Sequence, residues 1–381
     1  MSSTWLSLRA GLGNVVLWEH HHPYLLFNDI PSPEIQTPQM VTFIGQHVKS
    51  LLLQKLRFQQ NAYENTGGSI QLFPDTHSLN SDFPLLFADC ELHTQLNIDH
   101  ETDRLHGDII RRPLAWHKRA GQKPDLATLA HMVYAKLLAP FSTIICFVAE
   151  DFGGLPILVE LLAVWLTIFS NRPTDLPSPT FPRVLILLQS GRKAYFNEDK
   201  ATKNFITDLG VAAEKKSGLL TRRGNKKPRK EQLHHIISQQ FGNLRVVNLP
   251  KPTSGSRGYE ALRTRILRES GEVHQTRIKC QVAFSAKHFR PFFQMASDHF
   301  CADIVSPFSF IKASRLPNPV SPEFLFHMRV FLTHVDQAQI LNFAVPIIAS
   351  ALAFDSYPEG MHGSYSIINL MFSLAKSKHS F

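Results

Sequence analysis

Short apolar runs rich in β-branched and aromatic residues recur along the chain, with helix-like stretches between them. Val41–Ile44 (VTFI) reads as a strand, and the stretch from about Lys49 to Gln60 as a helix. Ser69–Phe73 (SIQLF) and Pro84–Asp89 (PLLFAD) read as two further strands. Leu126–Leu138 has helical spacing, Thr143–Val148 (TIICFV) reads as a strand and Leu155–Phe169 as a helix. Val184–Leu188 (VLILL), a helix over Glu231–Gln240 and a strand at Leu244–Leu249 (LRVVNL) complete the series. Continuous apolar strands alternating with helices indicate an α/β fold, with a mostly parallel sheet covered on both faces.

The pattern differs on either side of this series. Residues 1–39 read as a lead-in, with Trp18-Glu19-His20-His21-His22-Pro23 as a loop and with Pro31, Pro33 and Pro38 punctuating its last third. The three adjacent histidines read as a polar turn. Beyond residue 255, Tyr259–Glu272 looks helical and basic, and Cys280–Leu316 is rich in Phe and His. Pro346–Phe354 and Ser364–Lys376 both look helical. The expected organisation is a lead-in at 1–39, an α/β domain at 40–255 and a helical C-terminal region at 256–381.

A chain of 381 residues has room for this plan. With 44% apolar and 19% charged residues it can bury a core, which excludes wholesale disorder. Cys90, Cys146, Cys280 and Cys301 are widely spread and form no CxxC pair, which argues against a zinc ribbon or a disulfide scaffold. The start, MSSTWLSLRAGLGNVV, lacks a secretory pattern. A cytoplasmic location is therefore expected. Leu155–Ser170 carries Glu160, and Leu341–Phe354 falls short of the about 20 apolar residues a span needs. Both read as core helices, and no transmembrane segment is expected.

Charge is localised. Lys215, Lys216, Arg222, Arg223, Lys226, Lys227, Arg229 and Lys230 lie in a run with no acidic residue; taking its eight cations from the net +9 leaves +1. The Gly, Pro and Asn among them indicate an exposed loop at 215–230. Such a loop could contact nucleic acid, anionic lipid or a nuclear-import receptor; the plain alternative is a solvated linker. No aromatic residue interleaves the charges, which argues against a stacking platform for single strands.

The candidate chemistry sits at VTFIGQHVKSLLLQKL, residues 41–56. A strand ends at Gly45, and Lys49-Ser50 opens a helix, the context in which a phosphate-binding loop occurs. In the full motif, G-x-x-x-x-G-K-[ST], the lysine follows the first glycine by six positions. Here Lys49 follows Gly45 by four, and Val48 replaces the second glycine. Such a loop points backbone amides at phosphate oxygens at the positive end of a helix. The shortened version supplies fewer amides, and valine resists the positive φ open to glycine. Downstream lie Asn65-Thr66-Gly67-Gly68 before the SIQLF strand, and a buried strand ending in Asp89. Leu92 stands where D-x-x-G would place its glycine, and VLILL is followed by Gln189-Ser190-Gly191-Arg192-Lys193 rather than N-K-x-D.

The ordered set VTFIGQ…KS, NTGGSIQLF, PLLFADCE, FSTIICFV, NRP…VLILL and VVNLP resembles the GTPase-like P-loop domain of fungal multidomain proteins that also carry a patatin-like phospholipase. It is more distantly similar to guanylate-binding, dynamin-like GTPases. HFCADIVSPFSFIKASRLPNPVSPEF and the final stretch resemble the region following that domain, so the likeness covers about residues 40–375. It implies a three-layer P-loop NTPase-like domain. It also implies that Gly45, Lys49, Ser50, Thr66 and Asp89 form the nucleotide site, with Lys49 on the β/γ-phosphates. Ser50, Thr66 and Asp89 would hold Mg²⁺ beside GTP. The phospholipase is not expected here, since no G-x-S-x-G elbow occurs.

The eroded motifs favour a degenerate GTPase-like module with weak or absent nucleotide binding, regulating or contacting other protein domains. No water-positioning group can be named, so no catalytic residue is assigned. One alternative is a non-catalytic module binding anionic lipid or nucleic acid through 215–230; another is a surviving active GTPase. Asp298-His299-Phe300-Cys301-Ala302-Asp303 gathers ligand-capable side chains, but a metal site would need further ligands, and packing is the expected role.

Overall fold

The computed structural model describes residues 4–10, 15–58, 68–91, 97–98, 109–117, 126–168, 174, 176–189, 196–217, 237, 241–251, 256–315 and 323–356. Strands β1 (Thr4–Ala10) and β2 (Val15–His20) come first, then β3 (Gln39–Ile44) and helix α1 (His47–Lys55). β4 (Ser69–Pro74), β5 (Leu85–Glu91), β6 (Asn97–Ile98) and β7 (Ile109–Pro113) follow. α2 (Leu126–Met132) runs into a π-helical stretch, Val133–Leu138, before β8 (Ser142–Val148). A 3₁₀ turn at Ala149–Phe152 leads to α3 (Leu155–Ile168), then β9 (Arg183–Gln189), α4 (Glu198–Ser217) and β10 (Asn243–Leu249). The chain continues with α5 (Ser256–Lys279), α6 (Ala286–Ala302), α7 (Phe310–Arg315), α8 (Phe324–Thr333) and α9 (Val345–Ser356).

One ten-stranded sheet organises these elements, in the order β10-β9-β8-β3-β5-β4-β1-β2-β7, with β6 beside β1. From β10 to β5 every neighbouring pair is parallel. From β5 through β4, β1 and β2 to β7 every pair is antiparallel. The mostly parallel sheet expected from sequence is thus a mixed one. The antiparallel part is built from β1 and β2 together with β4 and β7, so residues 1–39 are not merely a lead-in. Trp18, Glu19 and His20 belong to β2, and His22–Asp29 forms a 3₁₀ turn.

The parallel half is buried on both faces, as its apolar runs require. Met40, Ile44, Leu86, Ala88, Ile145, Phe147 and Ile186 point to one face, against Leu158 and Leu162 of α3, Leu209 of α4 and Phe289 and Phe293 of α6. Val41, Phe43, Phe87, Ile144, Cys146, Leu185 and Leu187, one position out of phase, meet Leu52 and Leu53 of α1 and Leu262 and Ile266 of α5. This is the two-residue period of a pleated strand read out as two cores. Trp5 of β1 packs against Phe293 with its ring tilted and 4.2 Å between centroids, which ties the N-terminal strands to the C-terminal helices.

Polar side chains lock α5 to the sheet. Arg277, fully buried on α5, donates to the carbonyl oxygens of Ser142 (2.6 Å), Thr180 (3.1 Å), Phe141 (3.2 Å) and Pro140 (3.3 Å). Burial lowers its pKa to about 10. One turn earlier, the His274 ring shares a hydrogen bond of 2.9 Å with Thr37 Oγ1. At the outer strand β10, alternate amides meet side-chain oxygens. Leu244 donates to Asn243 Oδ1 (2.8 Å), Val246 to Thr202 Oγ1 (3.0 Å) and Asn248 to Glu198 Oε1 (3.2 Å).

Helix α4 was not anticipated from sequence. The expected helix at Glu231–Gln240 is described only at Ile237, and that at Ser364–Lys376 lies outside the described residues. Glu160, on the solvent side of α3, pairs with Lys216 of α4 at 2.9 Å, which explains a charge inside so apolar a segment. Among the described residues no helix is long and apolar enough to cross a membrane. All four cysteines are free.

Candidate functional site

The central strand β3 lies between β5 and β8, so the C-terminal ends of three parallel strands converge beside the start of α1. This is where open α/β sheets place their ligands. Gly45 leaves β3, Gln46 precedes α1, and Lys49 occupies the first turn of the helix.

Lys49 is fully buried. Its Nζ lies 2.5 Å from Asp89 Oδ1 and 3.6 Å from Glu91 Oε2, and donates to the Cys90 carbonyl oxygen at 3.1 Å. The β3–β5 register, Phe43 opposite Asp89 and Ile44 opposite Cys90, brings the end of β5 within reach of this side chain. Asp89 is itself buried, so the pair is shielded from water. Burial pushes the neighbouring Cys90 thiol well above its ordinary pKa, which the Lys49 ammonium only partly offsets. The thiol therefore stays protonated and unreactive.

The amides at the start of α1 also have a partner. Asp151, on the turn after β8, accepts the backbone N–H groups of Gln46 (2.7 Å), Val48 (2.9 Å) and Lys49 (2.9 Å). A carboxylate thus sits at the positive end of the helix, where the first N–H groups have no intrahelical acceptor. Gly45 makes room for it. A Cβ there would fall 2.5 Å from Asp151 Oδ2 and 3.0 Å from Lys49 Cβ. The adjacent Glu150 accepts the Gln189 amide at the end of β9 through Oε1. Gly153 and Gly154 carry the turn away at φ +82° and +105°.

Of the residues assigned from sequence, the structure brings together Gly45, Lys49, Ser50 and Asp89. Ser50 Oγ donates to the Gln46 carbonyl oxygen at 3.0 Å, inside its own helix. Thr66 and Leu92 lie outside the described residues, as do Ser190–Lys193. Lys215 and Lys216 end α4, while Arg222, Arg223, Lys226, Lys227, Arg229 and Lys230 lie outside the described residues. Asp151 and Glu150 were not picked out from sequence; the signal was an acidic pair, Ala149-Glu150-Asp151-Phe152-Gly153-Gly154, directly after a buried strand.

A Mg²⁺–nucleotide would need free donors and a free hydroxyl at this turn. The amides that would cradle phosphate are accepted by Asp151, the ammonium is held by Asp89, and the Ser50 hydroxyl is turned into α1. As arranged, these residues do not fit that ligand. Among the described residues no three His, Cys, Asp or Glu side chains gather as a metal site. The Asp298–Asp303 stretch has structural roles: Asp298 pairs with Arg112, His299 Nε2 meets the Ser306 carbonyl oxygen at 3.0 Å, and Asp303 accepts the Val305 amide at 2.8 Å.

No protein-family model matches the chain, and no curated protein matches it. Among solved structures, the siderophore hydrolase EstA from Aspergillus nidulans is similar over 71% of this chain and 95% of that one, at 10% identity and a TM-score of 0.27, too slight a likeness to carry an argument.

Proposed function

We propose that the chain is a degenerate GTPase-like P-loop module of three-layer α/β type, which binds nucleotide weakly or not at all and works through contacts with other protein domains. Three features support this reading. The strands run β4-β5-β3-β8-β9-β10 with β4 alone antiparallel among them. Helices pack on both faces of the parallel strands. A strand–turn–helix carries Lys49-Ser50 beside an acid at the end of the next strand.

The observation that carries the functional part is the engagement of Asp151 with three amides of the β3–α1 turn. Phosphate recognition at such a turn rests on those amides and on a free ammonium. Here both are committed to internal carboxylates.

The test is a titration of the purified chain with fluorescent GTP and ATP analogues, with and without Mg²⁺. Absence of saturable binding up to millimolar nucleotide is the expected result. Micromolar, Mg²⁺-dependent binding would overturn the proposal.

A further inference from the structure

Exposed large apolar side chains are scattered over the sheet domain, as Leu25, Ile35, Leu51, Ile157 and Val211, but they gather on the arm that α8 and α9 form. Leu325 (58%), Phe326 (64%) and Val330 (43%) of α8 are exposed, as are Leu341 (77%) and Val345 (46%) beyond it. No residue of α8 is buried, and over 323–351 only Ala344 is. Isolated helices shorter than about 12–15 residues are marginal in water, and helices apolar all round are ordinarily buried. α8, ten residues of sequence FLFHMRVFLT, is both short and apolar, and so calls for a partner. We infer that the partner is a second copy of this chain, whose α8 packs antiparallel against the first about a two-fold axis at Phe326. Such pairing is independent of whether the β3–α1 turn binds nucleotide.

The order of residues along α8 is self-complementary. Glu323, Phe326, Arg329 and Val330 are spaced by three and four positions and share the outward face, and all four are exposed. Glu323 and Arg329 stand at equal distances on either side of Phe326. An antiparallel pair centred on Phe326 therefore sets ring against ring at the axis. It also places Glu323 of each copy opposite Arg329 of the other, so the charge pair is made twice. The two helix dipoles oppose each other in this arrangement, which is favourable. Within its own helix Glu323 has only a solvent-exposed contact with His327 at 3.8 Å, too weak to compete.

The arm does not suit a lipid surface. A helix lying on a membrane carries Lys and Arg on its polar face. Residues 323–351 contain no lysine and a single arginine, Arg329, against the acids Glu323 and Asp336. A stable interface covers about 800 Å² on each partner, more than one short helix provides. Leu341 and Val345 extend the apolar surface in that direction.

The experiment is sedimentation of the full chain from about 0.1 to about 100 µM, with circular dichroism of each variant as the check on folding. Wild type is expected to rise from the monomer mass of 43.1 kDa towards twice that mass. Phe326→Glu is expected to weaken the dimer at least about 100-fold, because two carboxylates then face each other at the axis. Glu323→Arg alone is expected to weaken it about tenfold, and Glu323→Arg with Arg329→Glu to restore it, since the swapped charges pair again across the axis. That rescue distinguishes the pairing from a merely local effect on α8. A wild type that remains monomeric at the highest concentration overturns the inference. So does a dimer indifferent to Phe326→Glu in a folded variant, or one that the charge swap fails to restore. Flotation of a monomeric wild type with phosphatidylcholine or phosphatidylserine vesicles would assign the arm to a membrane and equally overturn it.

Discussion

Lys49 and Asp89 form a buried ion pair at the ends of adjacent elements, with 2.5 Å between Nζ and Oδ1 and side-chain exposures of 0% and 2%. The backbone amide of the same lysine donates to Asp151 at 2.9 Å. One residue is therefore pinned by two carboxylates, through its main chain on one side and its side chain on the other.

Removing only the lysine leaves Asp89 buried and unpaired. Lys49→Met is expected to cost about 3–5 kcal/mol, measured by urea denaturation. Lys49→Met combined with Asp89→Leu is expected to recover much of that loss, since no uncompensated charge remains. A Lys49→Met variant as stable as wild type would show that the pair does not support the fold.

Gly45→Ala places a methyl group 2.5 Å from Asp151 Oδ2. The expected cost is about 1–3 kcal/mol from overpacking and displacement of the carboxylate. In an Asp151→Ala background the same substitution is expected to cost less, because the clashing atom is gone. A double-mutant cycle checks this; strict additivity would mean that the two positions do not interact.

Arg277 holds the carbonyl oxygens of Pro140, Phe141 and Ser142 at the entry to β8 and that of Thr180 shortly before β9. Arg277→Met is expected to lower stability by about 3–5 kcal/mol, because several buried acceptors lose their donor together. Arg277→Lys is expected to recover only part of this, since an ammonium cannot reproduce the planar fork. Equilibrium denaturation of both variants is the measurement.

The pH dependence of stability is expected to carry a signature of His274. Burial first, and the Arg277 charge second, lower its pKa from 6.5 to about 4. An unfolded chain takes up this proton near pH 6.5, while the folded one resists until near pH 4. Between those values the unfolded state binds more protons, so stability falls as pH drops. The shift corresponds to a loss on the order of 3 kcal/mol. Subtracting the stability profile of His274→Gln from that of wild type should isolate this slope; a flat difference would refute it.

Much of the parallel half was legible because its strands are continuous apolar runs, such as TIICFV and VLILL, which only a two-faced burial explains. The antiparallel half was harder to read. β7, Ile-Ile-Arg-Arg-Pro, is short and charged, and exists through its pairing with β2. β1 and β2 did carry a hairpin signal, two apolar runs around Gly11-Leu12-Gly13-Asn14, but the histidines and prolines beyond obscured it. α4 presents a narrow stripe, Phe205, Leu209 and Ala212, in a largely polar segment. At the site, Gly45, Lys49 and Asp89 could be found locally, each at the end of a strand or the start of a helix. Asp151 could not, because its partners lie about a hundred positions away and only the adjacency of β8 and β3 unites them.

The side chains over β10 set a limit on how copies of this chain can associate. An outer strand ordinarily leaves every second amide available as a template for another strand. Here Leu244, Val246 and Asn248 spend those donors on Asn243, Thr202 and Glu198. A second chain adding itself in register would have to displace Thr202 and Glu198, both anchored on α4, before forming its first bonds. This border of the sheet is thereby protected against the strand-by-strand growth that leads to fibrils, without a proline or a bulge in β10 itself.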